Sequence, residues 1–167
     1  MTRLAKRVIV AIALAAAATA VVPGAENMKG PDDEMMKPIM ALTRFMVTLD
    51  RQHLEGVFAH SGVTIVENFS PYVFAGQNAA AHWEAGFRAH AGADKLSDLT
   101  LHFGGAQDFG RSGERAFFTL PTTWRGKNGG QAFEEQGAWS FVLTRSKDGW
   151  LVLAYGWGVT SVKVLAP

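Results

Sequence analysis

The chain has 167 residues, enough for one domain with a real core. Hydrophobic residues make up 48% and charged residues 19%, a balance that excludes intrinsic disorder. A formal charge of +1 with no basic stripe argues against nucleic acid as a partner, and the absence of cysteine excludes disulfides, thiolate metal sites and lipid attachment at a processed cysteine.

Residues 1–20 divide into a basic stretch with Arg3, Lys6 and Arg7, an apolar run from Val8 to Ala18, and a small-residue end, Ala18-Thr19-Ala20. That is the layout of a secretory signal peptide with an A-x-A cleavage site. The uncharged stretch Val8 to Val22 falls short of the roughly 20 residues that cross a bilayer, and Pro23-Gly24 stop it. Export to the periplasm or the medium is therefore expected, with no membrane association after cleavage. Without those three basic residues the charge becomes −2. Residues 21–33 read as a flexible leader, and 34–167 as the folded domain.

From Pro38 to about Phe58, Ile39, Leu42, Met46 and Leu49 recur at helical spacing, with carboxylates at Asp32, Asp33 and Glu34 ahead of them. Gly56 marks a break before a short helix, Val57 to His60. Val63 to Asn68 is short, apolar and β-branched, and predicts a strand. Ser70 to Ala75 predicts a loop or short edge strand. Asn78 is positioned to cap a second helix carrying Ala79, Ala80, Trp83 and Phe87 and closing near Gly92.

Long alternating runs follow: Leu99, Leu101, Phe103; then Phe118, Leu120, Thr122, Trp124; then Trp139, Phe141, Leu143. Gly104-Gly105, Gly110 to Gly113, Gly126 to Gly130 and Lys147-Asp148-Gly149 supply turn chemistry between them. These glycines lack the helix start and lysine of a phosphate cradle. Helices first and an antiparallel meander afterwards predict an α+β domain, its helices packed on one side of a curved sheet. The last run, Trp150 to Val164, is apolar on both parities, which predicts a covered outer face and a homodimer through the sheet.

Arg44 to Phe87 resembles the opening of nuclear transport factor 2-like proteins of the SnoaL-like and ketosteroid isomerase-like kind. The resembling residues are the helix leading into Asp50-Arg51-Gln52-His53-Leu54-Glu55-Gly56-Val57-Phe58-Ala59, then Thr64-Ile65-Val66-Glu67-Asn68, then Phe74-Ala75-Gly76 and a helix with Trp83. Late in the chain Lys147-Asp148-Gly149-Trp150 completes it. The resemblance implies a cone-shaped fold over nearly all of the mature chain. It transfers catalytic residues poorly. Phe45 stands where the isomerases carry an oxyanion-donating tyrosine, Glu67 or Asn68 where they carry a general-base aspartate, and Gly137 or Ala138 near their second acid. In the last strand, where relatives place a histidine or aspartate, Tyr155 is the only hydroxyl. Isomerase activity of the familiar type is not expected.

Glu67 is the ionisable residue of most interest, because a carboxylate in an apolar pocket gains a raised pKa suited to proton abstraction. Residues 63–68 are apolar on both parities, so alternation leaves the side it faces open. The histidines show no metal-ligand spacing, and neither metal nor other cofactor is expected. Five tryptophans are too large to vanish into a small core, and an open cavity lined by rings accounts for them. Phe45, Leu49, Phe58, Tyr72, Phe74, Trp83, Phe87, Trp124, Trp139 and Trp157 are its expected lining. The leading expectation is an exported domain binding a small apolar or aromatic molecule. The alternatives are a lyase, hydratase or isomerase with Glu67 as base and Asn68 or Tyr155 as hydrogen-bond partner, and a non-catalytic dimeric interaction module.

Overall fold

The computed structural model describes residues 30–166. The expected signal, 1–20, and most of the leader lie outside them. Helix α1 spans Asp33–Thr48, five residues earlier than its apolar stripe suggests. Asp32 sets that start: its Oδ1 accepts the Met35 N–H at 2.8 Å, satisfying a donor that the first turn leaves free. Pro38 therefore lies inside the helix rather than in its first turn. The helix stops at Leu49, which takes a left-handed conformation (φ 58°) and returns its N–H to the Phe45 carbonyl. What the stripe predicts as helix beyond this point is a short 3-10 turn, Arg51–Leu54. Val57 to His60, expected as a short helix, is not helical; Val57 and Ala59 exchange backbone bonds with Val152 instead.

Strand β1 (Thr64–Val66) and edge strand β2 (Val73–Ala75) form an antiparallel hairpin, and helix α2 follows over Ala79–Ala93. Asn78 precedes α2 with φ 65° and makes no side-chain cap. The remaining strands are β3 (Ser97–Phe103), β4 (Gln107–Ser112), β5 (Arg115–Asn128), β6 (Gln131–Ser146) and β7 (Gly149–Val164). Gly110, read as part of a turn, sits inside β4, a strand the glycine-rich composition concealed.

The sheet runs β2-β1-β7-β6-β5-β3, with β4 on the same edge of β5 as β3 but nearer its start. Each pair is antiparallel except β1 with β7, which is parallel, so the expected antiparallel sheet is mixed. Both helices pack on its concave face, as an α+β layout requires. Met35, Ile39, Leu42 and Phe45 of α1 and Trp83 of α2 are fully buried there against Phe118, Phe141 and Val152.

The double apolarity of β7 has a local cause. Val142 pairs with Ala154 but Leu143 pairs with Val152, so Leu153 is an extra residue. A bulge of this kind flips the alternation. Val152 before it and Tyr155 and Trp157 after it are therefore all buried, although their parities differ. A second slip leaves Thr160 unmatched, and it brings Val162 and Val164 opposite Glu135 and Phe133. Between the two bulges the outward positions of β7 hold only the small residues Ala154, Gly156 and Gly158.

Candidate functional site

The concave face is not filled to its end. Between the far end of α2, the end of α1 and strands β3, β5, β6 and β7 lies a cavity of about 450 Å³. Its wall is aromatic: Phe69, Phe87, Trp124, Phe133, Trp139 and Trp157, with Leu99, Val162 and Val164 toward the mouth.

Glu67 reaches this cavity from one residue past β1. Ile65 pairs with Tyr155 across the parallel β1–β7 ladder, and Glu67 shares the parity of Ile65, so carboxyl and phenol turn to the same face. The Glu67 N–H donates to the Tyr72 carbonyl at 2.9 Å, which fixes the backbone there. The side chain is 6% exposed. Its Oε1 accepts two donors, the Tyr155 hydroxyl and the Trp83 indole N–H, the latter at 3.0 Å. Burial raises its pKa to about 7, and the charge of Glu135 pushes the same way. The bonds from Tyr155, Trp83 and the Asn68 backbone only partly offset this. At neutral pH the group is divided between acid and carboxylate. The Tyr155 hydroxyl is pushed well above its ordinary range by burial and by Glu67, and it stays a donor.

A second carboxylate faces the cavity from β6. Glu135 accepts the Trp157 indole N–H at 3.0 Å, and its burial raises its pKa. The Trp157 ring lies close over Gly137: a Cβ there would stand 2.3 Å from the Gly158 carbonyl oxygen and 2.6 Å from the ring. Only glycine permits this approach. Glu135 was missed by sequence reasoning, although Trp139, Phe141 and Leu143 point inward and the same alternation, carried back through Gly137, reaches it.

At the mouth, His90 stacks on Phe69 with centroids 4.9 Å apart, and its Nδ1 lies 3.6 Å from Asp94 Oδ2. Trp139 packs between Trp124, Trp157 and Tyr155, at centroid distances of 6.0, 5.8 and 5.7 Å. Its Nε1–H is the one buried side-chain polar atom among the described residues with no hydrogen-bond partner. Among those residues no three His, Asp or Glu side chains are grouped as metal ligands, and no helix is long and apolar enough to cross a membrane.

Of the expected lining, Phe87, Trp124, Trp139 and Trp157 stand at the cavity; Asn68, expected as a hydrogen-bond partner, is exposed at its rim. Phe45, Phe58, Phe74 and Trp83 pack behind it instead. Phe45 and Phe58 lie against Trp83 at 5.5 and 5.7 Å, and Phe74 lies against Phe69 at 5.9 Å. Trp83 still acts on the site through its N–H. Leu49 and Tyr72 are at the surface, 37% and 60% exposed, because a left-handed backbone turns each away from the core.

No family model and no curated protein matches the sequence. Solved structures do match. A hexachlorocyclohexane dehydrochlorinase, LinA-type3 from Novosphingobium barchaimii, superposes with a TM-score of 0.63 at 9% identity, over 80% of this chain and 88% of its own. A nuclear transport factor 2-like superfamily protein from Salmonella enterica gives 0.63 at 16%, over 77% and 89%. A ketosteroid isomerase-like protein from Shewanella frigidimarina gives 0.59 at 19%, over 76% and 96%. The chain has the nuclear transport factor 2-like fold.

Proposed function

We propose that this domain binds a small, largely apolar or aromatic molecule in the cavity beneath the sheet. The observation that carries this reading is a cavity of about 450 Å³, walled by rings and holding a few converging polar groups. The unpartnered Trp139 N–H adds to it, since a buried donor without a partner asks for an explanation. A cavity of this size also weighs against a module with a filled core. Export remains part of the proposal on the layout of residues 1–20, and a homodimer through the outer sheet face remains too, resting now on the small outward residues Ala154, Gly156 and Gly158 rather than on the double apolarity, which the bulge explains. Intact mass of the mature protein, expected to begin near Val21, and light scattering test them.

A second reading is favoured by one feature. A buried carboxylate with a pKa of about 7, in the wall of a cavity, is poised to take a proton from a bound carbon acid. Glu67 would be the base, and Tyr155 and the Trp83 N–H would stabilise it. Dehydrochlorination, named for a protein of this fold, removes a proton from carbon together with chloride.

One experiment addresses both readings. Small aromatic compounds are screened for a joint change in tryptophan fluorescence and melting temperature. A ligand at a hundredfold its Kd raises stability by about 2.7 kcal/mol. Glu67→Gln keeps the acceptor oxygen and the shape. Binding that survives it with no turnover in either protein supports a binding domain, whereas turnover lost in the variant supports the enzyme. A screen without a single hit refutes both.

A further inference from the structure

We propose that the ligand carries one positive charge: an apolar or aromatic amine whose ammonium is held by Glu67 and Glu135, with its body against the indoles of Trp124, Trp139 and Trp157. This deepens the binding reading above and rests on it.

The charges around the cavity are one-sided. Glu67 and Glu135 face it, and no lysine or arginine is among the described residues that line it. His90 is the only basic side chain there, and Asp94 lies beside it. Two arginines on the elements that form the cavity are engaged elsewhere. Arg88 donates to Glu84 at 2.9 Å and lies over Phe45, and Arg125 pairs with Glu134 on the opposite face of β6. The side-chain donors to Glu67 and Glu135 are two indoles and a phenol, and the Asn68 backbone adds a fourth, all neutral. Each carboxylate is thus hydrogen-bonded but not neutralised.

That arrangement discriminates between ligands. An anion entering the cavity would meet two partly desolvated carboxylates, against which stands His90 alone among the described lining residues, itself beside Asp94. An ammonium supplies the missing charge at the point where burial has already removed water. The two causes that raise Glu67, desolvation and the charge of Glu135, are both relieved by a cation at that position. The aromatic wall favours the same class, because an ammonium is drawn to the faces of indole rings. Independently of the carboxylates, the buried Trp139 Nε1–H in the same wall has no partner in the protein, and an ether, carbonyl or hydroxyl oxygen on the ligand would provide one.

The test uses three probes of matched size, naphthylmethylamine, naphthylmethanol and naphthoate, titrated calorimetrically into the mature protein. Near pH 8 the amine is expected to bind about tenfold or more tighter than the alcohol, and naphthoate weakest, because only the amine offsets the buried carboxylates. The amine's advantage should shrink toward about pH 6 as Glu67 takes up its proton. The other titratable or charged groups around Glu67 are Tyr155 on β7, Glu135 on β6, and His90 and Asp94 on and after α2. Glu135→Gln should cut the ratio of amine to alcohol affinity, since it removes charge and keeps shape. Alcohol or naphthoate binding as tightly as the amine overturns the charge proposal and leaves the cavity reading standing. So does a ratio unchanged in the variant. If none of the three binds up to its solubility limit, the cavity reading falls, and this proposal with it.

Discussion

Glu67 and Glu135 face one cavity and accept an indole N–H at the same distance, 3.0 Å, yet the protein treats them differently. Glu67 sits at the closed end, held also by Tyr155, and is almost wholly buried. Glu135 sits nearer the mouth with a single donor and is half-buried. Three donors to Glu67 fail to hold its pKa down, because loss of water outweighs them. Hydrogen bonds from neutral groups orient a carboxylate without compensating its charge. The depth of a residue on the concave face therefore sets how far burial pushes each of two similar acids upward.

The largest expected effect follows from that difference. The Glu67 pKa rises on folding from the ordinary carboxylate range to about 7, so the folded protein binds this proton more tightly than the unfolded chain. Stability should then be highest near the acid end of that window, fall as pH rises through it, and level off above about 7. The full change is about 3 kcal/mol at 1.36 kcal/mol per pKa unit. Denaturant melts across this range should show the fall, and Glu67→Gln should abolish it. Glu135→Gln should retain most of it, because burial rather than the neighbouring charge is the first cause. A flat profile in the unmodified protein would mean that Glu67 is better hydrated than its burial indicates.

The second effect concerns the support under Glu135. Gly137→Ala places a methyl group against the Gly158 carbonyl and the Trp157 ring, and the carbonyl belongs to backbone that cannot swing aside. Overpacking of this kind costs about 2 kcal/mol. The displaced indole should also give up its bond to Glu135. Thermal melts should record the destabilisation, and carboxylate titration by NMR should find Glu135 higher still. If the variant is as stable as its parent, the contact of Trp157 with Gly137 is not what holds that ring.

Much of this architecture could be read from the sequence, and the residues that escaped did so for physical reasons. Helix α2 and the inward sets Phe118, Leu120, Trp124 and Trp139, Phe141, Leu143 follow from periodicity, because one face of each is buried. Glu67 drew notice as a carboxylate in an apolar run, but its side depends on the pairing of Ile65 with Tyr155, a contact between residues ninety positions apart in sequence. Phase reading breaks at Leu153 and Thr160, where one extra residue flips the strand, so β7 looked apolar on both sides. For that reason Val152, which parity assigns to the outer face, is fully buried and unsuited to probing a dimer. Backbone geometry hid the rest. Left-handed residues carry Leu49 and Tyr72 to the surface, although composition favours them in a pocket.

The smallest effect bears on the group that neither carboxylate reaches. Trp139→Phe removes an N–H that has no partner, and removing an unsatisfied buried donor recovers part of its desolvation cost, roughly 1–3 kcal/mol. The smaller ring also gives up packing against Trp124, Trp157 and Phe141, a loss of similar size and opposite sign. Free-protein stability should consequently change by less than about 1 kcal/mol in either direction, as read from denaturant midpoints. Ligand affinity separates the cases that stability cannot. A probe that places an acceptor oxygen at Nε1 should bind several-fold more weakly to the variant, whereas a probe without an acceptor should bind both proteins alike. Equal loss for the two probes would show that the indole contributes shape alone. A large loss of stability in the free variant would show instead that the packing given up outweighs the desolvation recovered.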